Sequence, residues 1–175
     1  FEPFEISPGI ELSKGAYQFN NWLLTLESDE SASLFAEAHI SLGEFYRGRI
    51  RSLNIQGGFR SGANFLLAGR YIWNDIRLPE GNFVTNLGIL QFSYSFTPKC
   101  YLQSLIQYNS SSRQIGLNVR FALLRTGNTG LFVVYNSQFD ATGFDPHDIS
   151  PLTREATQHT LNRALLAKFT YLFDF

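Results

Sequence analysis

The 175-residue chain contains no methionine, one cysteine and few charges. A lone Cys100 cannot close an internal disulfide and lacks the paired spacing of a zinc site, so it reads as a packed or exposed thiol with no redox or metal role. Charged residues make up 17% of the chain, against about 25% in an average soluble domain. The net charge is -1, and Lys and Arg are scattered singly, so no basic stripe exists to release counterions from a phosphate backbone, and nucleic acid is excluded as a partner. Long apolar runs are missing too. The longest spans residues 131–135, where a membrane-crossing helix needs about 20. The opening FEPFEIS has neither the basic region nor the apolar stretch of a signal peptide. With no Met, the expectation is a processed protein or a piece of a longer one.

What the sequence does have is apolar and aromatic residues in alternation: 44% hydrophobic, with 17 Phe and 8 Tyr. Ile115, Leu117, Val119, Phe121 and Leu123 share one parity, and Gln114, Gly116, Asn118, Arg120 and Ala122 the other. Leu90, Phe92, Tyr94 and Phe96 oppose Gln91, Ser93 and Ser95, and Leu34, Ala36, Ala38, Ile40 and Leu42 oppose Glu37, His39 and Ser41. Period two is the signature of a strand with one apolar face. Turn-forming clusters such as Ser28-Asp29-Glu30-Ser31, Ser61-Gly62, Pro79-Glu80-Gly81-Asn82 and Thr97-Pro98-Lys99 separate the runs. The predicted strands are residues 17–27, 32–45, 49–60, 63–76, 82–97, 100–109, 113–124, 130–139 and 159–175. Most exceed the common globular strand length of about 5 to 6 residues. The fold class is all-β, an antiparallel up-and-down meander.

A soluble β-fold shows water a face rich in Lys and Glu. Here the polar faces carry mainly Asn, Gln, Ser, Thr and Gly with occasional charges of mixed sign, a composition suited to an enclosed polar lumen. Glu37, His39, Asn54, Gln56, Arg70, Gln107, Asn118, Arg120 and Lys168 are assigned to it. The apolar faces have aliphatic centres and aromatic ends, as bilayer headgroup levels favour. The reading is a transmembrane β-barrel with about 9–10 strands in this chain, or the C-terminal part of a larger one, contacting outer-membrane lipid. Connection lengths agree. With the C-terminus inside, residues 139–159 form an outer loop, while Thr97-Pro98-Lys99 and Ser61-Gly62 are tight inner turns.

The closing stretch LNRALLAKFTYLFDF, with Phe169, Tyr171, Phe173 and Phe175 at alternate positions, resembles the C-terminal signal of bacterial outer-membrane barrels. That resemblance implies recognition by the barrel-assembly machinery, an edge-strand pairing mode, and residence in the bacterial outer membrane. A narrower resemblance rests on Pro8-Gly9 through Gly15-Ala16-Tyr17, Gly43-Glu44-Phe45-Tyr46-Arg47-Gly48, Tyr71-Ile72-Trp73-Asn74-Asp75-Ile76-Arg77-Leu78-Pro79, Leu131-Phe132-Val133-Val134-Tyr135-Asn136 and Asn162-Arg163-Ala164-Leu165-Leu166. These pieces look like an uncharacterised outer-membrane β-barrel family of Gram-negative bacteria. Its longer members carry a family-9-like carbohydrate-binding domain upstream, which is not in this sequence. The family brings no catalytic residues.

Glu37 and His39 share a strand face, yet no nucleophile motif accompanies them, and lumen hydrogen bonding is the expectation. Asp140, Asp145, His147 and Asp148 gather near Gly143 without the spacing of an EF-hand. Arg60, Arg70, Arg120 and Lys168 form either a cationic ladder or, as favoured here, ion pairs with Glu27, Glu37 and Asp174 that plug the interior. Gly57-Gly58 reads as a bulge or bend. The function expected is that of a pore, receptor or scaffold, with no enzyme activity and no cofactor. The alternatives are a soluble extracellular β-sandwich or barrel binding sugar or lipid, and an outer-membrane barrel hydrolase using His147 or His159. Further subunits, or a missing N-terminal segment, are candidate partners. Residues 1–12, broken by Pro3, Pro8 and Gly9, read as the outer tail of an upward strand, so the barrel is expected to be incomplete.

Replacing Phe175 by a polar residue, or deleting Phe173 to Phe175, should lower the amount of protein reaching the outer membrane while leaving the refolded protein's stability nearly unchanged. A terminal rim side chain buries only a few kcal/mol worth of surface at most. Equal membrane levels by cell fractionation would contradict a recognition role.

Overall fold

The computed structural model describes residues 4–12, 15–126, 129–142 and 160–171. The described residues fold into strands without helix. Two short strands, β1 (Phe4–Ser7) and β2 (Ile10–Leu12), come first. Nine longer ones follow: β3 (Asn21–Glu27), β4 (Leu34–Phe45), β5 (Gly48–Ser61), β6 (Phe65–Leu78), β7 (Gly81–Thr97), β8 (Cys100–Asn109), β9 (Gln114–Thr126), β10 (Thr129–Asp140) and β11 (Thr160–Thr170). They form one sheet in sequence order from β3 to β11, every neighbouring pair antiparallel. The sheet is open: β3 pairs only with β4, and β11 only with β10. We call the end bearing the β4–β5, β6–β7 and β8–β9 turns the upper end.

Register decides which side chains share a face, because a slip of one residue would invert every strand. From β4 to β7 the pairing runs without a shift, from Leu34↔Phe59 through Leu67↔Phe92. One face therefore collects Leu24, Ile40, Leu53, Trp73, Leu67, Leu90, Ile106, Leu117, Tyr135 and Leu165. No other element of the described chain covers it, and many of its large residues stand exposed, Trp22 at 83% and Phe169 at 71%, while Ile40, Leu53, Trp73, Leu117 and Tyr135 are half-buried. Among the exposed large hydrophobics on β3 to β11, only Leu23 and Leu166 lie on the opposite face.

The buried apolar core is small and sits at the upper end of that opposite, polar face. Pro8 and Gly9 turn the chain between β1 and β2, with Gly9 at φ 78° and its N–H donating to Glu5 Oε1 at 2.6 Å. Alternation in Ile10-Glu11-Leu12 then points Ile10 and Leu12 inward, and Leu12 is 1% exposed. They pack on Ile76 and Leu78, with Ile6, Phe45, Tyr46, Ile50 and Phe83 around them. Tyr46, at φ 52° in the β4–β5 turn, makes ring contacts with Phe4, Tyr17, Phe19 and Phe45 at centroid distances of 4.7–5.8 Å. Opposite, in the β3–β4 turn, Ser31 donates from its hydroxyl and backbone to Asp29 and holds that exposed carboxyl below the usual carboxylate range.

Two expectations from the sequence are corrected. The N-terminal segment is no tail of a sheet strand: β1 and β2 pair with each other and dock across the rim, because Pro8-Gly9 closes a hairpin before a long strand can form. Gly57 and Gly58 lie in unshifted register, not in a bulge. Their lack of a side chain answers to crowding, since a Cβ on Gly58 would stand 2.7 Å from the Phe35 ring and 2.8 Å from Leu67 O. That ring in turn carries the Arg60 guanidinium at 5.4 Å.

Leu12→Ala should cost about 2–5 kcal/mol of hairpin docking. Hydrogen exchange of the amides in β1 and β2 should accelerate while those of β6 to β8 keep their protection. Unchanged exchange in the hairpin would show that its packing on Ile76 and Leu78 is not what holds it.

Candidate functional site on the polar face

Glu37, His39, Asn54, Gln56, Arg70, Gln107, Asn118, Arg120 and Lys168 come from six strands, and the register puts all nine on the face opposite the exposed apolar band. The links are direct cross-strand pairs: Glu37↔Gln56↔Arg70, His39↔Asn54, Gln103↔Arg120, and Lys168 beside Phe132. Alternation supplies the parity and the ladder supplies the neighbours.

The side chains divide into two groups. Near β3 to β6, His39 Nδ1 meets Thr25 Oγ1 at 3.0 Å and its Nε2 meets Glu37 Oε1; the other oxygen of Glu37 accepts from Gln56 Nε2. Arg70 Nε donates to Asn54 Oδ1 at 3.1 Å. Near β8 to β11, Asn118 Nδ2 donates to Asn136 Oδ1, and Gln138 Nε2 to Gln114 Oε1 at 2.7 Å. Beside the second group lies a depression of about 270 Å³ lined by Gln107, Gly116, Asn118, Asn136, Gln138 and Asn162. Gly116 opens its floor: a Cβ there would meet nothing within 4 Å. Five uncharged amides line this hollow, offering donors and acceptors, together with Ser137, whose hydroxyl donates to Asn162 O at 3.3 Å.

Among the described residues no ion pair joins Arg60, Arg70, Arg120 or Lys168 to Glu27 or Glu37. Glu37 is engaged by His39 on its own strand and by Gln56 on the next. Arg60 instead donates to Glu30 O at 3.2 Å and stacks on Phe35, and Arg70 is taken by an amide. Among the described residues the ion pairs are His39–Glu37, Arg47–Glu80 at 3.9 Å and Arg77–Asp75 at 3.1 Å. Asp174, Asp145, His147, Asp148 and His159, together with Phe173 and Phe175, lie outside the described residues. Phe169 stands on the apolar face of β11, and Tyr171 is exposed just past it. Among the described residues no three His, Cys, Asp or Glu gather to hold a metal ion.

Thr25, Gln114, Asn136, Gln138 and Asn162 were not singled out in the sequence. Each is an ordinary polar residue whose role comes only from the register that brings it beside a partner on another strand.

Glu37→Ala removes the acceptor shared by His39 and Gln56 and should cost about 1–3 kcal/mol, read as a lower urea midpoint. In a double-mutant cycle Glu37 and Gln56 should show coupling, and strict additivity would show that the pair contributes nothing.

Comparison with family models, with curated proteins and with solved structures finds no match to the chain.

Proposed function

We propose that this chain forms a wall of a β-barrel in the outer membrane of a Gram-negative bacterium, serving as a pore, receptor or scaffold without a catalytic step of its own. The observation that carries the proposal is the exposed apolar face. A soluble monomer rarely leaves a contiguous apolar patch beyond a few hundred Å² uncovered. This band runs from Trp22 and Leu24 on β3 to Leu165 and Phe169 on β11 with no described element packed on it. Lipid chains are its natural cover.

The band has the dimensions and edges that a bilayer asks for. Toward the lower end lie Phe59, Phe65, Phe92 and Tyr94, with Phe59–Phe65 and Phe65–Phe92 centroids 6.0 and 5.7 Å apart. Toward the upper end lie Trp22, Tyr71, Trp73 and Tyr108 on the same face. Phe65 and Trp73 are eight residues apart on β6, which is about 27 Å along a strand and roughly 20 Å once tilted as in a barrel, against a lipid-facing band of about 25 Å.

On this reading the polar face lines the interior, and its amide pairs and the Thr25–His39–Glu37–Gln56 chain are lumen wall. The open edges also constrain closure. Eight successive antiparallel steps leave β3 and β11 running in the same direction. An antiparallel barrel therefore needs an odd number of strands beyond these nine, paired between β11 and β3. Outer-membrane lipid and the barrel-assembly machinery are the partners this function requires.

The protein should be extracted only with detergent, should insert into lipid vesicles, and should migrate differently on a gel before and after boiling. A stable monomer in detergent-free buffer would overturn the proposal.

A further inference from the structure

Above the upper aromatic level, the lipid-covered face of the preceding reading becomes charged, with Arg49, Arg51 and Arg77 against Glu44 and Asp75. Arg51 pairs with Asp75 across β5 and β6, and one step higher Arg49 stands directly opposite Arg77. Like charges facing each other across an antiparallel ladder repel at Cβ separations of about 5 Å, a cost that an anion placed between them would offset. Two carboxylates lie nearby, each with a partner of its own. Asp75 is committed to Arg77, accepting from Nη2 at 3.1 Å and Nε at 3.2 Å. Glu44, across the ladder from Arg49, accepts at one oxygen from the backbone and side chain of Asn20, both at 3.1 Å. Arg49 and Arg51 make no ion pair or hydrogen bond among the described residues, and both are exposed. Arg47, in the adjoining turn, lies 3.9 Å from Glu80, at the outer limit of an ion pair.

We propose that Arg49, Arg51 and Arg77 form a binding site for the phosphate group of an anionic membrane lipid. The position selects the ligand. Arg51 and Asp75 stand two residues beyond Leu53 and Trp73 on the apolar face, and Arg49 and Arg77 two beyond those. Side chains there leave the hydrocarbon and enter the layer where lipid phosphates lie. A guanidinium binds phosphate through two parallel hydrogen bonds, and an oxyanion between Arg49 and Arg77 would satisfy both cations and relieve their repulsion. The lipid's chains would descend over Leu53 and Trp73. An acidic peptide could meet the charge but would leave the band below it bare. The site rests on the membrane reading, since only a bilayer brings phosphate and acyl chains together at that boundary.

Trp22 and Trp73, the two tryptophans of the chain, share this face and lie on or next to the row of Arg51, so they report which lipid is adjacent. The full-length protein is reconstituted into phosphatidylcholine vesicles holding a trace of dansyl-labelled phosphatidylglycerol or dansyl-labelled phosphatidylcholine, and energy transfer from tryptophan is measured. The wild type should favour the anionic probe by about tenfold or more at low salt, with Arg49 and Arg51 each contributing what a basic group does near a membrane surface. The triple variant R49Q/R51Q/R77Q should lose that preference while keeping its heat-modifiable migration and its transfer to the neutral probe. The triple lysine variant should keep part of it. An undiminished preference in the glutamine variant overturns the site. Displacement of the anionic probe by inorganic phosphate or by a glutamate-rich peptide at matching concentrations overturns the assignment to lipid. Absence of transfer to either probe would instead remove the membrane reading, and this site with it.

Discussion

The hydrogen-bond ladder is the constraint on which everything else here depends. Each strand hands its parity to the next through paired backbone groups, so the polar residue at Glu37 dictates the environment of Gln56, Gln56 that of Arg70, and so on across the sheet. Period two means that only two outcomes exist for a given strand, and one of them would put Trp73 among the amides and Asn74 in the apolar band. The unshifted pairing of the four central strands makes the correct outcome cooperative. Irregularities in this sheet fall at strand ends, between Ser95 and Thr97, between Thr129 and Gly130 and between Gln138 and Phe139, where a shift inverts almost nothing.

Segregating polarity this way makes charge expensive on either face, which accounts for its scarcity. On the polar face, amides neutralise one another in pairs such as Asn118–Asn136 and Gln114–Gln138 without long-range fields. A carboxylate there needs more help, and Glu37 has both oxygens occupied by His39 and Gln56. On the proposed membrane reading water returns at the rims, where Arg47, Glu80, Arg49, Asp75 and Arg77 stand. The docked hairpin fits the same pattern. Ile76, Leu78, Ile50 and Phe83 are apolar intrusions into the polar face at its upper end, and Ile10 and Leu12 cover them.

Strand positions and facial parity were legible in the sequence because both are local. Alternation within Ile115 to Leu123 needs no knowledge of partners, and β8 begins at Cys100 and ends at Asn109, as the flanking turn residues suggest. What escaped was set by neighbours. Residues 17–20 carry strand-like alternation, yet Tyr17 and Phe19 turn to the Tyr46 ring instead of extending β3. The fate of Glu37 depends on Gln56 lying opposite, which no spacing along the chain announces. Gly57-Gly58 looks like a defect when read alone and proves to be clearance for Phe35 once the strands are side by side. The Arg49–Arg77 juxtaposition likewise exists only across a strand pair; in sequence these are two isolated arginines.

Edge strands on a wide sheet normally need protection from further pairing, and β3 and β11 have little. Neither edge is blocked by proline, Asn21 to Glu27 holds one charge, and both strands expose their large apolar side chains along one face. In water such edges would recruit any available strand. In a membrane the choice is narrower. A second copy inserted in the same orientation would bring β11 alongside β3 in parallel, because both run the same way, and parallel pairing is slightly weaker per residue. Only a strand of opposite direction extends the ladder in the pattern used by all its existing pairs. On the proposed membrane reading, the sheet's direction selects its complement more stringently than its composition does, and a set with an odd number of strands is the one that would close it with antiparallel pairs throughout.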